Sequence, residues 1–246
     1  MRWQDRQDKV EASVYEAMNE LADLLSIKIR DYPLVYWVGR KVQFKDLFTS
    51  TRYMPFAEQN RVYFEHHRRQ KIPYYHHEAR SIYIFKDMPI AVYEEAAHAL
   101  HLMLANPSVK GRGNRDRLSF DILMEINGFL GARLIGSPLE NPYNPHADWA
   151  QLTPESLVKF EKSYLKLGRT KSDFLDHFVH QQGYGLAECI HFAHLKGDIK
   201  LEFIRRLFTD RWLEKNSAVN KYLRLKRRFW PIDKITEDIK AARAKA

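Results

Sequence analysis

Tyr93-Glu94-Glu95-Ala96-Ala97-His98-Ala99-Leu100-His101 is the stretch whose reading decides the fold. Ala, Leu and Glu dominate the run from Ile90 to Leu104, Pro89 suits a loop or a first helical turn, and Asn106-Pro107 stops the pattern. A helix is therefore predicted across it. At 100° per residue Glu94, His98 and His101 fall on one face of that helix and could meet a single cation.

Working upstream, the residues from Leu34 to Phe85 change period. Val35 and Trp37, Val42 and Phe44, Val62 and Phe64, and Ile82 and Ile84 recur two apart among β-branched and aromatic neighbours. Three or four short strands forming a small antiparallel sheet are predicted there. Before them, Val14, Met18, Leu21, Leu24, Leu25 and Ile29 recur at helical spacing, so an amphipathic helix is expected over Val10 to Ile29, ended by Asp31-Tyr32-Pro33. Downstream, a polar loop with two glycines runs from Ser108 to Arg117, and a second helix is predicted from Leu118 to Ile135, closed by Gly136-Ser137-Pro138. Pro142 and Pro145 mark an aromatic-punctuated loop to Trp149. Helices are then expected from Pro154 to Leu167, from Ser172, from Gly185 to Leu195, and from Ile199 to Leu225. The fold class read from this is α+β, predominantly helical, as one domain. Its parts are a helix within 1–31, a sheet region at 32–88, motif-bearing helices at 89–207 and a basic helical extension at 208–246.

In the His-Glu-x-x-His pattern, side chains at i and i+4 hold zinc and the intervening glutamate acts as general base. Here the same register reads Glu94, Glu95, Ala96, Ala97, His98. With the apolar run Ile82-Tyr83-Ile84-Phe85 before it and Met124-Glu125-Ile126-Asn127-Gly128-Phe129 on the following helix, the segment Ser81 to Leu207 resembles the zincin superfamily of metallopeptidases. The gluzincin branch of that superfamily takes its third ligand from a glutamate placed as Glu125 is. The resemblance implies a zincin-like core, Zn2+ held by Glu94, His98 and Glu125, and Glu95 as base. Gly183-Tyr184-Gly185-Leu186-Ala187-Glu188 is similar to the helix packed behind such sites, which would give Tyr184 or His180 the stabilisation of the oxyanion. The chain departs from the family at Glu94, where a histidine is usual. One imidazole and two carboxylates neutralise more of the ion's charge and acidify water less. The resemblance therefore implies either a peptidase or an inactive relative that grips a protein segment without cutting it.

Composition sets bounds on the rest. The chain has 246 residues, 45 % hydrophobic and 13 % aromatic, enough for a sizeable core. No run approaches the ~20 apolar residues of a membrane span, and a cytoplasmic protein is expected. Cys189 is the only cysteine, so neither an internal disulfide nor a Cys-rich zinc site is available. Lys and Arg exceed Asp and Glu by 40 to 31, a surplus that draws weakly on phosphates and acidic surfaces.

Three other patterns compete. Glu188 and His191 repeat the Glu-x-x-His spacing of Glu95 and His98, and with Glu16 and Glu125 they match the ligand count of a ferritin-like di-iron bundle. His66-His67 and His76-His77 flank a basic stretch read as a hairpin, where adjacent strand residues point to opposite faces and chelate poorly. Lys221 to Trp230 interleaves five basic with five apolar residues, a surface for nucleic acid or an anionic membrane, or a solvated helix face.

Overall fold

A computed structural model describes residues 3–38, 57–77, 79–85, 89–105, 114–136, 179–180, 183–187, 190–191, 194–195, 197 and 199–209. The elements are α1 (Trp3–Leu24), β1 (Leu34–Trp37), α2 (Ala57–Gln70), β2 (Tyr74–His76), β3 (Ser81–Ile84), α3 (Pro89–Ala105), α4 (Asn114–Leu134) and α5 (Leu201–Thr209). Helix predominates and one small sheet accompanies it, the expected α+β class. The chain divides into two compact units, 1–104 with 131–139, and 105–130 with 140–246. One division falls at the end of α3, just before Asn106-Pro107, and another within α4.

In the first unit the strand order is β1-β3-β2. β1 runs parallel to β3 and β2 antiparallel to it, so the sheet is mixed rather than antiparallel throughout. The predicted strand at Val62 and Phe64 is instead part of α2. Two apolar residues two apart are too few to distinguish a strand from a helix, and Phe64 is buried in either case. His66 and His67 accordingly end a helix, while His76 lies on β2. The residues Val42 and Phe44 lie outside the described ones.

Register explains the aromatic content. Tyr36, Tyr83 and Tyr74 sit side by side on the three strands, with centroids 5.4 Å apart for Tyr36–Tyr83 and 5.0 Å for Tyr74–Tyr83. Phe64 meets Tyr83 edge-on at 5.7 Å, so α2 covers the tyrosine face. Such pairs contribute ~0.5–1.5 kcal/mol each beyond burial. Two turns are fixed by residues outside the usual backbone region. Ser26, at φ 53°, closes α1 with Ile27 N–H donating to the Ala22 carbonyl and Ser26 N–H to that of Asp23. Lys71, at φ 55°, closes α2 in the same way through the His67 and Arg68 carbonyls. Helix α1 thus starts and ends earlier than its apolar stripe predicts.

The outer side of β1 is occupied by a side chain. Gln7 of α1 donates from Nε2 to the Val35 carbonyl at 2.7 Å and accepts from Trp37 N–H at Oε1, also 2.7 Å. One primary amide therefore makes the two bonds that a neighbouring strand would make.

Helix α4, which belongs to the second unit as far as Leu130 and to the first beyond it, is buried at Ile122, Leu123, Ile126, Asn127, Phe129 and Leu130. It ends as expected at Gly136, whose φ of 74° suits a residue without Cβ. Asn127 donates from Nδ2 to the Leu207 carbonyl at 2.9 Å, satisfying one of the last carbonyls of α5.

Replacing Gln7 by Leu keeps the bulk and leaves two buried backbone groups unpaired, which should cost about 2–4 kcal/mol in urea unfolding. Alkaline stability follows the tyrosines. Burial raises the Tyr83 hydroxyl above its usual 10.0, and burial with a hydrogen bond to Glu11 pushes Tyr15 up to about 12. The unfolded chain ionises first, so this stability is intact below pH 10 and lost as pH rises toward the folded values. Tyr83→Phe should flatten the fall in unfolding midpoint above pH 10.

Candidate metal centre

Helix α3 carries its polar groups where solvent scarcely reaches. Ala91, Val92, Ala96, Ala97, Ala99, Leu100 and Leu102 are buried around it, and so are Glu95, His98 and His101. The alanines at 96, 97 and 99 leave room for close neighbours, which is why an Ala-rich helix can be interior on nearly every side. Glu94 is partly exposed, and its Oε1 lies 3.7 Å from His98 Nε2 one turn on. That separation is too long for a hydrogen bond and leaves the two groups facing each other.

Glu125 stands on α4 with its side chain 3 % exposed, 3.6 Å from His180 Nε2 through Oε2. Gly183 packs its backbone onto the same residue. A Cβ added at Gly183 would collide with the Glu125 Cβ and come within 3.0 Å of its carbonyl carbon and 3.1 Å of its Cα. A helical glycine costs about 1 kcal/mol against alanine, so its presence here has a packing cause, namely the room that Glu125 needs.

Glu94, His98 and Glu125 each offer one donor atom, and these atoms all lie within 4.8 Å of one another. The group could hold a metal ion, the same three residues that the sequence nominates as ligands. Burying two carboxylates and an imidazole together is unfavourable unless they are compensated, and a shared cation compensates both carboxylates. Glu95 is 6 % exposed and lies between Glu94 and His98 in the sequence of α3. His101, fully buried, belongs to the same helix face but not to this group.

Tyr184 is 2 % exposed and meets Phe129 edge-on, with centroids 5.3 Å apart. Glu16 faces solvent on α1, which takes one carboxylate from the four needed by the di-iron arrangement. Glu188, the loop from Tyr143 to Trp149 and the basic stretch Lys221 to Trp230 lie outside the described residues. Among the described residues no helix is long and apolar enough to cross a membrane. The packing of Gly183 against Glu125 was not read from the sequence, where Gly183 only opens the Gly183-Tyr184-Gly185 stretch.

No protein-family profile matches the chain, and comparison with curated proteins and with solved structures gave no match.

Gly183→Ala should lower stability by about 1–3 kcal/mol through overpacking, read from denaturant unfolding. It should also weaken divalent-metal uptake, because the collision is with Glu125, one of the three residues that could hold the ion. An unaltered midpoint would show that the segment shifts without disturbing Glu125.

Proposed function

We propose that this protein is a zinc metallopeptidase-like protein that engages a peptide segment at the Glu94, His98 and Glu125 centre, with turnover diminished by the carboxylate at position 94. One observation carries the reading: donor atoms of Glu94, partly exposed, and of the buried His98 and Glu125 lie within 4.8 Å of one another. The donor set fits zinc. Zinc takes both imidazole nitrogen and carboxylate oxygen, the two donor types this group offers.

When bound, the ion would supply Lewis-acid polarisation of a peptide carbonyl. The chain's own residues do the rest. Glu95 holds the register of the general base, where its carboxylate would accept the proton of an attacking water and return it to the leaving amine. Burial at 6 % exposure keeps that carboxylate out of bulk solvent. Glu94, standing where an imidazole would leave the centre more positive, lowers its electrophilic power. Peptide capture with slow or no cleavage is the outcome this charge balance favours.

Metal analysis of chelator-free, untagged protein should find one zinc per chain in the wild type and none in His98→Ala. Glu94→His should tighten zinc and bring peptidase activity that Glu95→Gln removes. Wild-type protein without stoichiometric zinc, or zinc retained in His98→Ala, would overturn the assignment.

A further inference from the structure

Glu125 is held by two residues three apart. His180 and Gly183 are each helical, and both approach Glu125. Gly183 brings the backbone against the Cβ and main chain of Glu125, while His180 brings its Nε2 to 3.6 Å from the carboxylate Oε2. The first contact fixes where the glutamate stem leaves α4. The second sets an imidazole at ion-pair distance beside the carboxylate, longer than a hydrogen bond. His180 is about a quarter exposed and Glu125 almost wholly buried.

A metal-binding carboxylate uses one oxygen on the ion and needs its other oxygen engaged, or the group rotates and samples unproductive orientations. We infer that His180 is a positioning residue for Glu125, its imidazole holding the carboxylate in the orientation that presents it to Glu94 and His98. This rests on the metal-centre reading above and deepens it. It also gives His180 a different task from the oxyanion stabilisation suggested by resemblance, because its Nε2 stands at ion-pair distance from the Glu125 carboxylate. The pair restores to the centre some of the imidazole influence lost at position 94, but through a ligand's orientation rather than as a ligand.

The test is Zn2+ titration of the full chain by calorimetry at one pH for the wild type, His180→Ala and His180→Gln, with thermal unfolding of each in chelator. His180→Ala should bind zinc roughly ten- to hundredfold more weakly, with its metal-free unfolding midpoint unchanged. His180→Gln keeps an N–H donor and should recover most of the affinity. Wild-type affinity in His180→Ala would overturn the positioning role and leave the metal centre standing. Affinity in His180→Gln as low as in His180→Ala would also overturn it, in favour of direct ligation. No zinc uptake by the wild type would overturn the centre and this inference together.

Discussion

Ionisable side chains placed inside helices that have almost no solvent face are the constraint on which the candidate site depends. On α3 the buried polar groups are Glu95, His98 and His101, and on α4 they are Glu125 and Asn127. Desolvating such groups costs several kcal/mol unless each finds a compensating partner. The surroundings supply what apolar helices can: small alanines, a glycine that lets a backbone come near, and an amide that closes a helix end. Asn127 shows the structural use of a buried polar group, since its Nδ2 ties α4 to the Leu207 carbonyl. Glu125, two residues away, is surrounded differently, with an imidazole at one side and two further donors close by.

Helices with strong punctuation were legible from sequence. The span of α3 follows from its Ala-rich run between Pro89 and Asn106, and α4 stops where Gly136 permits a left-handed turn. The facing of Glu94 and His98 was legible too, because i and i+4 spacing puts both on one face whatever the tertiary structure. Legibility failed where a short apolar pattern met a tertiary preference. Phe64 looks the same in a strand or a helix, and only its seat against Tyr83 shows which is formed. The direction of β1 relative to β3 was equally hidden. A parallel pair needs a crossover, and α2 with β2 supplies it from residues read as strand or hairpin.

What the sequence could not reveal about the site is orientation. Nothing in the spacing of His180 and Gly183 shows that both face Glu125 rather than solvent, because 55 residues separate His180 from Glu125 and only packing relates them. Tyr184, nominated by resemblance, has its ring against Phe129, a placement decided by aromatic packing within the second unit.

The amide of Gln7 has a consequence for how the chain behaves among its own copies. β1 is an edge strand, and an edge with unsatisfied N–H and C=O groups is a template on which another chain can add a strand. By filling the Val35 and Trp37 bonding positions with a side chain, α1 closes that template intramolecularly. The closure lasts only while the first two turns of α1 stay docked. Undocking of α1 around residue 7 would therefore expose a recognition edge, linking local opening there to self-association at residues 35–37 without the rest of the sheet having to unfold.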